Sequence, residues 1–91
     1  MTQLEMQEMP LVRLGVSKRL VAALLETPLG LGQTISSRDG EIFLDVFMPL
    51  TQELVHWIQC MGTDVEVIHP PGLRELIREE LAQTLHLYRL V

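Results

Sequence analysis

The segment QTISSRDGEIFLDVFM, residues 33–48, carries the reading on which the fold turns. Two runs rich in Ile, Thr, Phe and Val, Gln33–Arg38 and Glu41–Met48, flank Asp39-Gly40, a dipeptide that tolerates the positive φ angles of a type I′ hairpin turn. A two-residue turn sets the register: Arg38 faces Glu41, Ser37 faces Ile42, Ser36 faces Phe43, Ile35 faces Leu44 and Thr34 faces Asp45. Side chains alternate along a strand. One face of the hairpin therefore holds Ile35, Ile42, Leu44, Val46 and Met48, and the other holds Phe43, Asp45 and Phe47 with Ser36 and Thr34.

Working outward, Leu11–Val16 alternates Val12, Leu14 and Val16 with Leu11, Arg13 and Gly15, the period of a first strand. Ser17 is placed to cap a following helix of about Lys18 to Glu26, in which Leu20, Val21, Leu24 and Leu25 recur at helical spacing until Thr27-Pro28. Gly30 and Gly32 mark the loop that leads into the hairpin. After Pro49, Thr51 reads as the N-cap of a second helix with the apolar stripe Leu54, Val55, Trp57, Ile58 and Met61, closed by Gly62. Asp64–Ile68 alternates as a fourth strand, and Pro70-Pro71-Gly72 breaks it. Leu73, Leu76, Ile77, Leu81, Leu85 and Tyr88 then recur through a last helix of about Leu73 to Arg89, on which Tyr88 is expected to pack.

The order is β-α-β-β-α-β followed by a C-terminal helix. Right-handed crossovers place both helical connections on one side of a four-stranded antiparallel sheet, with the first and third strands central. This is an α+β, ferredoxin-like arrangement. Val12, Leu14, Val16, Leu44 and Val46 fit the covered face, and Phe43 and Phe47 project from the middle of the open one. Residues 1–10 read as a linker or chain end, and 11–91 as the domain.

Composition bounds the function. The chain has 91 residues, enough for one small domain, so a two-domain enzyme is excluded. Seven Lys and Arg against twelve Asp and Glu give a net charge of −5, which rules out a strongly basic nucleic-acid module. The longest apolar run, Leu20–Leu25, is far short of the roughly 20 residues of a membrane span, and no signal peptide is evident, so a cytoplasmic location is expected. Cys60 is the single cysteine, which excludes an intrachain disulfide, and its place on an amphipathic helix reads as a small buried hydrophobe. His56, His69 and His86 fall on separate elements without metal-ligand spacing, and no phosphate loop or convergent acid, base or nucleophile appears. The expectation is a non-enzyme without cofactor or metal. Glu75 and Arg78 form an i,i+3 pair on the last helix.

The segment ELVHWIQCMGTDVEVIHPPGLRELIREEL, residues 53–81, resembles the C-terminal extension, the WCX domain, that follows the WYL domain in bacterial helix-turn-helix transcriptional regulators. The likeness lies in the order helix, Trp57, Gly62, a Val-Glu-Val-Ile strand, a proline and a Leu-Arg pair opening a terminal helix that finishes near a Tyr. Upstream, Arg13–Leu25 and the Asp39-Gly40 turn sit where that family has its first strand, first helix and turn, so the likeness covers about Val12 to Tyr88. Trp57, Gly62, Val65, Val67, Pro70 and Arg74 match family positions. The resemblance implies a regulatory and dimerisation module that couples an effector to DNA binding, with a homodimer and the rest of a regulator as partners. No helix-turn-helix or WYL pattern occurs in the 91 residues, so DNA would be bound only through other domains.

Phe43 and Phe47 are accordingly the candidate protein interface. Arg74, Arg13 and Arg38 are the candidate contacts for an anion or effector. Arg74 heads a helix N-terminus, where the dipole opposes a cation, so a carboxylate or phosphate partner is expected, with a surface pair to Glu75 or Glu79 as the alternative. Two other partner classes stay open. A small-molecule effector would bind at a dimer seam near Ser17 or Thr51. A single-stranded nucleic acid would use Phe43, Phe47, Arg13 and Arg38.

Overall fold

A computed structural model describes residues 9–89 and places two central strands, β1 (Leu11–Val16) and β3 (Glu41–Phe47), side by side in antiparallel register. Their pairing decides what lies inside. Val12 faces Val46 and Leu14 faces Leu44, all four essentially inaccessible, while the intervening Arg13, Gly15, Phe43 and Asp45 turn to the opposite face.

β2 (Thr34–Arg38) joins the outer side of β3 with the register expected from the Asp39-Gly40 turn, from Arg38 opposite Glu41 to Thr34 opposite Asp45. Asp39 has φ 54° and Gly40 φ 84°, the paired positive angles a type I′ turn requires. β4 (Val65–His69) lies on the outer side of β1, giving the order β2-β3-β1-β4. The register of β1 with β4 shifts between Arg13 and Leu14, so that Arg13 opposes His69 while Leu14 opposes Val67. The four-stranded sheet with first and third strands central agrees with the split β-α-β-β-α-β reading.

Helices α1 (Lys18–Glu26) and α2 (Gln52–Met61) bury Leu24, Leu54 and Ile58 against Val12, Leu14, Val16, Leu44 and Val46. Thr51 caps α2 as expected, its hydroxyl accepting from the Leu54 N–H at 3.1 Å. Gly62 closes it at φ 58°. Ser17 behaves differently: its hydroxyl donates to Asp64 Oδ1 at 2.8 Å, and α1 has no side-chain cap. The hydroxyl is oriented by this charge-assisted bond to the carboxylate. The 28–33 loop is held by Gln33, which accepts from the Leu29 N–H and donates to the Leu24 carbonyl, both at 2.9 Å. Gly30 packs closely there: a Cβ would meet Val46 Cγ2 at 3.0 Å, so a larger residue needs that side chain to give by a few tenths of an ångström.

The last helix, α3 (Pro71–Arg89), begins two residues earlier than expected, with Pro71 in the first turn where its missing N–H costs nothing. Leu73 and Ile77 are buried, but Leu81, Leu85 and Tyr88 are mostly exposed. The expectation that Tyr88 packs is therefore corrected. A helix of 19 residues runs about 28 Å, whereas the five residues of β4 run about 17 Å, so the apolar stripe overhangs the sheet. Cys60 is also corrected. It is exposed, because it stands about 200° around α2 from the buried Ile58. The expectation of a linker falls mostly on residues 1–8, outside the described ones; the Pro10 carbonyl already accepts from the Met48 N–H at 3.2 Å. No described helix is long and apolar enough to cross a membrane.

The core is aliphatic, and no polar or charged side chain is buried among the described residues. Chemical denaturation should show Leu14→Ala and Leu44→Ala each losing about 2–5 kcal/mol through lost burial and a residual cavity. Thr51→Ala should lose about 1 kcal/mol through its cap.

Candidate functional site

The open sheet face carries four of the five residues singled out in the sequence, Arg13, Phe43 and Phe47 along its central strands and Arg38 at the end of β2. Arg13 of β1 and Asp45 of β3 are cross-strand partners, and the guanidinium grips the carboxylate through two hydrogen bonds, Nε to Oδ1 at 2.7 Å and Nη2 to Oδ2 at 2.8 Å. The same guanidinium lies 5.7 Å from the centroid of the Phe43 ring, within cation–π reach. Phe43 is half-buried, and Phe47, one step along the same face beyond Asp45, is 61% exposed. Aromatic surface this exposed on a sheet is the ordinary material of protein contacts.

Arg38 sits at the hairpin end of β2, exposed, and has no ion-pair partner among the described residues. Arg74 is elsewhere. It bridges α3 to the outer edge of β4, donating through Nη1 to Glu66 Oε2 at 2.9 Å and to the Val67 carbonyl at 2.6 Å. Its partner is thus a carboxylate of the neighbouring strand, in place of Glu75 or Glu79; Glu75 pairs with Arg78 at 3.2 Å. Arg74 also covers a carbonyl on a strand edge that would otherwise be open to another chain.

Two features were missed in sequence. The hairpin pattern places Asp45 between two aromatics but does not show it as the clamp on Arg13, because the β1 to β3 register depends on residues 32 apart in the chain. Gly15 leaves a gap beside Phe43 that floors an open trough of about 630 Å³, bounded also by Ile68, Glu66 and Lys18. The unexpected glycine in an otherwise apolar and charged alternation was the available signal.

At the end of this face, Asp64 accepts from Ser17 and from Arg19 Nε at 2.7 Å. Hydrogen bonds from Arg19 and Ser17 hold the Asp64 carboxyl below its usual range. Asp45 is likewise lowered, chiefly by the hydrogen bond from Arg13, against partial desolvation and with a smaller contribution from the arginine's charge. Both carboxylates are therefore ionised throughout the neutral range.

The sequence matches the WCX domain family over residues 8–85. The chain belongs to the WCX domain family. No curated protein matches it. WCX is a regulation-associated domain of WYL-type regulators and not a known catalytic family. In this WCX domain, Trp57 packs against the core from α2, Gly62 adopts its positive φ at the helix end, and Val65 and Val67 are buried on β4. Pro70 follows a cis peptide bond. His56 and Cys60 lie one turn apart on α2, Nε2 to Sγ 3.5 Å, but no group of three or more metal-ligating side chains forms among the described residues.

The lowered carboxyls set a pH dependence. Their stabilisation is complete above the unfolded carboxyl value of about 3.9 and is lost as pH falls through the lower folded value. Asp45→Asn and Asp64→Asn should be less stable than wild type in urea at pH 7, and the difference should vanish in strong acid. A difference that persists unchanged at the lowest pH would show that the ion pairs are not its source.

Proposed function

We propose that this WCX domain is the non-catalytic regulatory and dimerisation module of a bacterial, cytoplasmic WYL-type transcriptional regulator. It couples effector sensing or oligomerisation to DNA binding by a helix-turn-helix segment of the same regulator. The observation that carries this reading is the family match together with an open sheet face that exposes Phe47, and Phe43 in part, beside a neutralised Arg13–Asp45 pair. Pairing the two charges lowers the cost of covering them with a second surface.

The other partner classes have less support. For a single-stranded nucleic acid, Arg13 is already held by Asp45, which leaves Arg38 and Lys18 as the cations at this face without an ion-pair partner among the described residues. For a small molecule near Ser17 or Thr51, both hydroxyls are already engaged, one with Asp64 and one with the Leu54 N–H.

Fused to a monomeric helix-turn-helix domain that needs pairing to occupy its operator, the 91-residue chain should restore repression, and light scattering should show a dimer. Full burial of an exposed Phe contributes about 1.5–3 kcal/mol, and Phe47 is the more exposed of the two and has the more still to gain. A Phe43→Ser/Phe47→Ser double variant should therefore weaken the dimer by at least about 100-fold. A monomeric wild-type chain that fails to restore repression would sink the reading.

A further inference from the structure

Gly15 stands in the interior of a central strand, where glycine weakens pairing and leaves nothing to pack. The backbone does not demand it, since its φ is not positive. Neither do its neighbours: a Cβ there would meet only side-chain atoms of Ile68 and Glu66 at 3.7–3.9 Å, ordinary contacts. What the missing side chain does provide is room above the sheet, the floor of the trough beside Phe43.

We propose that the open face packs on the same face of a second copy, about a two-fold axis running parallel to the strands between β1 and β3, so that Phe43 of each copy fills the Gly15 trough of the other. This rests on the self-association reading above and specifies its geometry. Such an axis exchanges every β1 residue with its cross-strand neighbour on β3: Gly15 with Phe43, Arg13 with Asp45, and Leu11 with Phe47. Bulk therefore meets a gap, and each guanidinium lies over a carboxylate, which turns two intrachain ion pairs into a ring of alternating charge. The two Phe43 rings come side by side at about one strand spacing, 4.8 Å, inside the range of about 4.5–7 Å at which aromatic pairs attract.

The outer strands follow the same exchange, β2 with β4. Ser36 shares a row with Phe43, Gly15 and Glu66, so its hydroxyl meets the Glu66 carboxylate of the second copy. Arg38 reaches toward the same carboxylate. Charge also selects this axis over its rival. A two-fold axis across the strands through the central Arg13–Asp45 row would set Arg13 on Arg13 and Asp45 on Asp45, like charges in contact, which is unfavourable. Aligned sheets pack about 10 Å apart with a rotation near 30°, so the central pairs hold their match best.

The direct test is an isotope-filtered NOE experiment on a mixture of labelled and unlabelled chains, which reports only contacts between copies. Expected are intermolecular NOEs from the Phe43 ring to the Gly15 α-protons and between Leu11 and Phe47. In parallel, Gly15→Phe fills the trough within a chain whose backbone accepts a side chain there, and light scattering should show self-association weakened by at least about 30-fold. A dimer whose intermolecular NOEs come from Leu81, Leu85 and Tyr88 of α3, with Gly15→Phe without effect, would overturn this geometry and leave self-association standing. A wild-type monomer would overturn both.

Discussion

The antiparallel pairing of β1 with β3 is the constraint on which the rest of the structure depends. With Leu14 opposite Leu44 and Val12 opposite Val46, four aliphatic side chains meet beneath the sheet and are wholly removed from water. At about 25 cal/mol per Å² of apolar surface, these are the most completely buried side chains of the core. A slip of one residue would send these side chains to solvent and bring Arg13 and Asp45 into an interior that holds no other polar group. The register is thus enforced from both faces.

That same register builds the open face. Arg13 meets Asp45 and Gly15 meets Phe43 because they are the odd-numbered residues between the buried ones. The ion pair is half-exposed and contributes little to stability by itself. Its consequence is electrostatic: in a chain of net charge −5, the centre of this face is neutral and apolar enough to be covered. The edges are treated differently. On β4, Arg74 and α3 occupy the outer side, while β2 presents Thr34, Ser36, Ser37 and Arg38 to solvent, polar groups that resist edge-to-edge association. Both sheet edges are thus blunted, one by a helix and its arginine and the other by polar side chains.

Much of the fold was legible because its signals are local. The Asp39-Gly40 turn fixes five cross-strand pairs within twelve residues, and Thr51, Gly62 and the proline pair delimit helices through groups adjacent in the chain. Strand order followed from the handedness of crossovers, which is a property of L-amino acids more than of any residue. Legibility ended where partners are distant. Ser17 looks like a cap, yet Asp64, 47 residues away, takes its hydroxyl. Arg74 has two near acids on its own helix and binds Glu66 on another element. The stripe from Leu73 to Tyr88 is continuous in sequence, but only its first two turns find a sheet to cover them.

The amino-acid sequence by itself determined the elements, their order, the hairpin register and the two faces of the sheet, because period, turn chemistry and chirality act over a few residues. It also carried the WCX pattern, whose parts are short and whose order is the information. Only the tertiary structure decided the β1 to β3 register on the open face, the clamp of Asp45 on Arg13, the trough over Gly15 and the exposure of Cys60 and Tyr88. Those depend on which surfaces run out of neighbours, and that is settled by the lengths and packing of whole elements.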